Sequence, residues 1–533
     1  MTTVADLLAE RAGDERPALV FEGRTWTWAE VHAEAQARAS AMQARSHYGI
    51  LMENTPEHVF LLAAAAIAGA VAVGLNPTRR GEELARDVRH THCQAVLTDE
   101  AGRQALEGLD LGGAAVLTSL PAPSSWSPCG RPAPVEDDLY LLIFTSGSTG
   151  HPKAVRVSHG RAVRSSTRFP FGPDDALYCA MPLFHGNALF SNLVPAFRVG
   201  CRVVLRRRFS ASSFLDDVRQ NRCTFFNTVG RAVAHILATP PTDHDRDHSL
   251  KWVLGPETSD ADAAAFTARF GVPVVGGYGS SENAVVLQPA PRAAHPGALG
   301  VAGPRSDVAV VDPATGAELP RARFDPNGRL LNAAEAIGEL VGRDAADRFE
   351  GYYNDPGAEA DRRRGGWYWT GDLAYRDEDG VFYFAGRSGD WLRVDSENFT
   401  AAPVERILSR APGVAGVAVY PVPDPRSGDQ VMAAVEMAPG EVFDPARFAE
   451  FLAAQTDLGP KWVPSIVRVV ERLPTTGTDK LDKKPLRAQA WRTTDPLWRR
   501  EARTMRFVAM TAADVASLEA ELDAAGRSQL LGR

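Results

Sequence analysis

Lysine is nearly missing from this 533-residue chain. Only six of its 58 basic residues are lysines (Lys153, Lys251, Lys461, Lys480, Lys483 and Lys484), and the rest are arginines. Together with the many alanines, this reads as a GC-rich coding bias and carries no function by itself. Where arginine is the default cation, however, each retained lysine is a candidate for a role that needs a compact ammonium on a flexible stem. Cysteine is also scarce. The five are odd in number and scattered without a CxxC pair, which speaks against a disulfide framework or a zinc site and fits a reducing cytoplasm. Long apolar runs are absent too. The stretch at 59–75 is marginal in length for a bilayer and rich in weakly apolar alanine, so it reads as a buried helix running into a short strand. The N-terminus lacks the charged and apolar regions of a secretory signal. There is no basic excess: the net charge of −8 makes the chain a poor candidate for non-specific nucleic-acid binding, which rests on basic patches.

What is present is an ordinary globular composition, 44% hydrophobic and 23% charged, which excludes wholesale disorder and fibrous classes. At roughly 100–200 residues per domain, two or three domains are expected. The first third alternates helical patterns (4–11, 28–41) with short apolar runs (18–21, 48–52, 70–75, 95–98), the signature of layered α/β structure with parallel strands. The middle third repeats this, with strands expected near 203–205, 224–227, 252–254 and 272–275. The runs at 308–311 and 338–341, set among Asp and Gly turns, predict antiparallel sheet. Beyond 386–390 the pattern changes to a separate small α+β domain, with helices at 403–409 and 445–455 and strands at 414–420, 431–436 and 465–470.

The most specific stretch runs from Leu141 through Thr145, Ser146, Gly147, Ser148, Thr149 and Gly150 to Lys153. A strand delivers small hydroxyl and glycine residues followed by a lysine. Glycines admit close approach of the backbone, while amide N–H groups and hydroxyls donate to phosphate oxygens and the ammonium adds charge. GxxxxGK[ST] is not satisfied, so this is not a Walker A loop.

The TSGSTGHPKA reading closely resembles the phosphate loop of the adenylate-forming superfamily, which includes acyl-CoA synthetases, peptide-synthetase adenylation domains and luciferases. Ala154 stands where that family usually has a glycine. Further motifs follow in the family's order. Pro182-Leu183-Phe184-His185 resembles the segment that packs beside the substrate carboxylate. Tyr278-Gly279-Ser280-Ser281-Glu282 resembles YGxTE, where a flat ring stacks on adenine, a hydroxyl bonds the α-phosphate and a carboxylate holds Mg²⁺. Asn283-Ala284 replace the glycines that follow this glutamate in many fatty-acid-activating relatives. Trp369-Thr370-Gly371-Asp372 resembles the motif whose aspartate accepts both ribose hydroxyls. Gly386-Arg387-Ser388-Gly389-Asp390 resembles the hinge motif, with Arg387 placed for ribose or phosphate and Gly389 in place of an aspartate. Lys480, six residues after Pro474, has the spacing of the family's C-terminal catalytic lysine. Segments at 349–354, 391–399 and 473–480 resemble the fatty acid transport protein / very-long-chain acyl-CoA synthetase branch.

The resemblance implies an α/β protein. A large N-terminal domain (1–386) with layered α/β subdomains and a small β-barrel-like part would bind ATP and the acyl substrate, and a smaller mobile α+β domain (387–533) would carry Lys480. It implies Lys480, Lys153, His185 and Glu282 as catalytic residues. Thr145, Ser146, Gly147, Ser148, Thr149, Gly150, Lys153, Tyr278, Gly279, Ser281, Asp372, Arg387 and Lys480 would hold the nucleotide, with Glu282 and Thr145 at Mg²⁺. The expected activity is ATP-dependent adenylation of a fatty or related carboxylate, releasing pyrophosphate, and then transfer to CoA as the small domain rotates about 386–390. Two readings stand beside it. One is a biosynthetic adenylating ligase acting on an aryl or amino acid, or on nitrite for diazotisation, with a carrier-protein thiol as a further acceptor. The other is a nucleotide-binding module without chemistry, which the retained Lys153, Glu282, Asp372, Arg387 and Lys480 argue against. A cytoplasmic location is expected, and the branch brings with it peripheral membrane contact.

Overall fold

The computed structural model describes the chain except residues 1, 121–132, 146–151, 257, 291–294, 296, 327, 329, 388–390, 395, 396, 426–428, 477–479, 502, 503, 526, 529, 530, 532 and 533. It divides into two compact units. The first comprises residues 1–258, 262–284 and 347–361, and the second residues 259–261, 285–346 and 362–533.

Two sheets form the frame of the first unit. One runs Val274–Val275, Trp252–Leu254, Phe225–Asn227, Ala176–Cys179, Arg202–Leu205, Pro17–Phe21 and Arg24–Thr27. The other runs Ala115–Leu117, Ala95–Thr98, His47–Leu51, Val71–Gly74, Leu139–Thr145 and Lys153–Ser158. Each is parallel except for its last pair. Continuous Val/Leu/Ile runs produce this arrangement because helices cover both faces of a parallel sheet. The run at 59–75 resolves as expected into the helix Pro56–Ala68 and the strand Val71–Gly74. Thr55 caps the helix, Pro56 opens it and Gly69, at φ 63°, closes it. Ten of its thirteen residues are buried, so it lies inside the unit and not in a membrane. Among the described residues, no helix is long and apolar enough to cross a bilayer.

In the second unit an antiparallel sheet orders Val286–Gln288, Ala298–Ala302, Val381–Arg387, Trp367–Arg376, Gly338–Gly342 and Val308–Val311. A second sheet orders Val414–Pro423, Asp429–Met437, Ile466–Val470, Leu497–Arg500 and Phe507–Ala509. Its strands alternate with period two. Val417, Val419, Val431, Ala433 and Val435 join a core with Val404, Ile407 and Leu408 of the helix Ala401–Leu408. Ala418, Tyr420, Val422, Met432 and Ala434 face the other way, toward Leu518 and Leu522 of the helix Ala512–Ala524. Lys480 lies between Ile466–Val470 and the helix Lys484–Gln489.

Three buried titratable groups couple the first unit's stability to pH. Burial pushes His58 down to about 4, and it does the same to His159, whose ring stacks 5.0 Å from Tyr140. Both are neutral in the fold but gain a proton near 6.5 when unfolded, so their contribution is full above 6.5 and is lost as pH falls toward 4. Burial raises Asp87 to about 6 against the pull of Arg79, 3.0 Å away, and this acts oppositely, adding stability as pH falls from 6 toward 3.8. The two histidines outweigh the one aspartate. The unfolding free energy from urea titration is therefore expected to fall between pH 7.5 and 5, by an amount of order 2 kcal/mol. His58→Met is expected to flatten that slope; an unchanged slope would contradict the assignment.

Candidate functional site

Thr145 ends the strand Leu139–Thr145, and Lys153 opens its antiparallel partner directly opposite. The Thr145 hydroxyl donates to the Lys153 carbonyl at 3.5 Å. Ser146, Gly147, Ser148, Thr149 and Gly150 lie outside the described residues. The pairing nevertheless brings both ends of the segment 145–153 together at one sheet edge.

Lys153 is 5% exposed, and its ammonium lies 5.3 Å from the centre of the Tyr352 ring. The Tyr352 hydroxyl donates to Glu282 Oε1 at 2.7 Å, and Glu282 is 6% exposed. Tyr352 is fixed through its backbone: Tyr353 N–H donates to Ala154 O at 2.8 Å, Arg156 N–H donates to Gly351 O at 3.1 Å, and Val155 bridges to Tyr352. Two residues before Tyr352, the Glu350 carboxylate accepts from Ser158 N at 2.7 Å and from Ser158 Oγ at 2.6 Å. Segment 350–353 thus runs as an extra strand edge along Lys153–Ser158. Gly351, at φ 87°, makes the turn that a side chain would strain.

Tyr278 and Gly279 form a two-residue strand that leads to Ser281 and Glu282. The buried Arg161 side chain donates to the Ser281 carbonyl and, at 2.5 Å, to Arg156 O. One guanidinium therefore joins the segment carrying Glu282 to the strand carrying Lys153. Asn283 follows at φ 55°, and its amide donates to Ser165 Oγ at 3.0 Å.

His185 caps the short helix Gly186–Ala188, with Asn187 N–H 3.4 Å from its Nδ1. A π-helix, Leu189–Leu193, continues it, a geometry frequent at functional sites. Behind it, Asn227 donates to Asn187 O at 3.3 Å and to Asn192 Oδ1 at 2.9 Å. The loop before His185 is held by Asn54. Its amide donates to Met181 O at 2.9 Å and Arg206 O at 3.1 Å, while its carbonyl accepts from Leu183 N at 2.9 Å. Gly74 permits the contact, since a Cβ there would lie 2.8 Å from the Phe184 carbonyl oxygen.

Asp372, Arg387 and Lys480 belong to the second unit. Asp372 and Arg387 are directly opposite each other on paired strands. The strand irregularity at Gly371, φ 73°, is held by its N–H on Glu339 Oε1 at 2.8 Å and by the Thr370 hydroxyl on Leu340 O at 2.7 Å. Lys480 closes a small hairpin. Thr476 N–H donates to its carbonyl at 2.7 Å, and Asp482 N–H donates to Pro474 O at 2.9 Å. Lys483 pairs with Glu405 at 2.7 Å, which anchors that hairpin to the helix Ala401–Leu408. Lys251, which carried no sequence assignment, pairs with Asp175 at 2.7 Å. Residues 388–390 and 477–479 lie outside the described residues.

Sequence reasoning gave no role to Tyr352, Asn54, Arg161, Glu339 or Glu350. Tyr352 lay within the segment 349–354 noted for its resemblance, but nothing local tied it to Glu282. The others act through pairings distant in sequence.

Residues 8–353 match the model of the AMP-binding enzyme family, and residues 403–480 match the AMP-binding enzyme C-terminal domain. The chain belongs to this family. Among relatives of this AMP-binding enzyme, a steroid-22-oyl-CoA synthetase of Rhodococcus jostii is 48% identical, covering 99% of each chain. A medium/long-chain-fatty-acid–CoA ligase of Mycobacterium marinum is 42% identical over 93% of this chain and 98% of its own. Among solved structures, ATP-bound MatB from Rhodopseudomonas palustris superposes with TM-score 0.77 at 25% identity, over 91% of this chain and 98% of that one. An anthranilate CoA ligase with anthranoyl-AMP reaches TM-score 0.79 at 22% identity, over 92% and 97%, which shows the fold: mixed α/β, a large N-terminal domain and a smaller C-terminal one. The AMP-binding enzyme is an AMP-forming acyl-CoA ligase, which adenylates a carboxylate with ATP and then forms the CoA thioester. The biosynthetic alternative on aryl acids, amino acids or nitrite is not favoured.

Asn54 gives this site its sharpest mutational test. Asn54→Ala leaves one buried N–H and two carbonyls without their partner, and is expected to cost about 2–4 kcal/mol in urea unfolding. A cost below about 0.5 kcal/mol would show that the His185 loop is held by something else.

Proposed function

We propose that the acyl substrate is a steroid side-chain carboxylate of the steroid-22-oyl type. The supporting observation is the 48% identity, end to end, with a steroid-22-oyl-CoA synthetase. A medium- or long-chain fatty acid is the second reading, favoured by the ligases at 42% identity.

In this reading Lys153, Thr145, Ser146, Gly147, Ser148, Thr149 and Gly150 hold the β- and γ-phosphates, and Tyr278 and Gly279 lie against adenine. Ser281 meets the α-phosphate, and Asp372 and Arg387 take the ribose. Glu282 and Thr145 would hold Mg²⁺. A single buried carboxylate with oxygen neighbours suits an ion that keeps several ligands from phosphate and water. Among the described residues no group of three or more His, Cys, Asp or Glu gathers as a complete cage. When bound, Mg²⁺ supplies charge neutralisation on the phosphates. The substrate carboxylate is already a nucleophile and needs no general base, so the protein's work is orientation and charge stabilisation. His185 lies beside the carboxylate, and Lys480 stabilises charge as the α-phosphate is attacked. The domain 387–533 then turns about 386–390, withdrawing Lys480 so that CoA can displace AMP from the acyl-adenylate held by the domain 1–386.

The test is thioester formation, followed by mass spectrometry, with a steroid-22-oic acid, octanoate, palmitate and benzoate. The steroid acid is expected to exceed the fatty acids by at least about tenfold in kcat/KM. The opposite order would replace it with the second reading.

A further inference from the structure

Lys153 and Glu282 carry opposite charges, are nearly fully buried and converge on one side chain, yet among the described residues they form no ion pair with each other. Tyr352 stands between them. Its ring face receives the ammonium, and its hydroxyl donates to one carboxylate oxygen at 2.7 Å. We propose that Tyr352 is a positioning residue for nucleotide activation, holding these two charges apart so that each remains available to a metal-bound nucleotide. The proposal rests on the reading of Lys153 as a phosphate ligand and Glu282 as a Mg²⁺ ligand.

A direct buried Lys–Glu pair would satisfy both groups and leave little attraction for a ligand. A phenol avoids this. The negative face of its ring stabilises a cation without neutralising it. Its O–H occupies Glu282 Oε1 and fixes the carboxylate plane, leaving Oε2 as the other donor. Tyr352 is itself rigid. It is 3% exposed, Phe349 packs edge-on at 5.0 Å, and its backbone is laddered to the strand that carries Lys153. Such fixation is what preorganisation of a ligand-binding constellation requires.

The experiment compares wild type, Tyr352→Phe, Tyr352→Leu and Glu282→Gln. Calorimetry measures ATP affinity in EDTA and in MgCl₂, magnesium titrations follow pyrophosphate release, and Tm monitors folding. Tyr352→Phe keeps the ring and loses the donor. It is expected to raise the half-maximal magnesium concentration about tenfold, with ATP affinity in EDTA within about twofold of wild type. Tyr352→Leu also removes the ring and is expected to weaken ATP binding in EDTA about tenfold. A merely structural role would weaken binding equally with and without magnesium, and an unchanged ratio of the two affinities in Tyr352→Phe overturns the proposal, whatever its Tm. If Glu282→Gln shifts the magnesium dependence and Tyr352→Phe does not, the positioning role falls while the Glu282 assignment stands. If Glu282→Gln leaves it unchanged, both fall.

Discussion

The first unit buries a lysine and a glutamate around one tyrosine, and the proposed activation of the nucleotide depends on that arrangement. Removing either charge from water costs several kcal/mol, and the fold recovers part of this through the aromatic face under Lys153 and the phenol donor on Glu282. That arrangement depends on three segments far apart in sequence. The strand Lys153–Ser158 supplies the cation, the segment before Asn283 supplies the carboxylate, and 350–353 supplies the phenol. Arg161 joins the first two, while the Glu350 bonds to Ser158 and the backbone ladder beyond them join the first and third. A glutamate accepting two hydrogen bonds and an arginine on two carbonyls therefore set the geometry of the proposed nucleotide site.

Much of the fold was legible because local patterns agreed with it. The apolar run 59–75 buries itself as helix and strand, and the segments at 308–311 and 338–341 pair antiparallel, as the turn residues around them suggested. Boundaries moved by a residue or two, as at 401–408 against the expected 403–409, where Pro403 fits within the first turn of the helix and does not have to begin it. The long strand Trp367–Arg376 was harder to see, since its Thr370-Gly371-Asp372 stretch, a strand irregularity with Gly371 in a left-handed conformation, reads as a loop.

The candidate site was legible only where chemistry and spacing coincide in one short stretch. Thr145 and Lys153 were nominated by a loop, Glu282 by a tyrosine four residues before it, and Lys480 by its distance from Pro474. Tyr352, Asn54 and Arg161 could not be nominated in this way. Each matters through a partner 70 or more residues away, apart from shorter links such as that from Arg161 to Arg156, and a lone tyrosine, asparagine or arginine carries no such signal in one sequence. The scarcity of lysine took on meaning only once partners were known. Lys251 and Lys483 hold structural ion pairs, whereas Lys153 lies on an aromatic face at the end of the proposed phosphate loop.

In the proposed mechanism Lys480 carries the division of labour between the half-reactions. The decisive measurement is carboxylate-dependent exchange of labelled pyrophosphate into ATP without CoA, in wild type and Lys480→Ala, beside thioester formation from a supplied acyl-adenylate and CoA. The account predicts robust exchange in wild type, its loss by at least about a hundredfold in Lys480→Ala, and thioester formation within a fewfold of wild type. Exchange that survives in Lys480→Ala, or thioester formation that falls with it, would contradict the account.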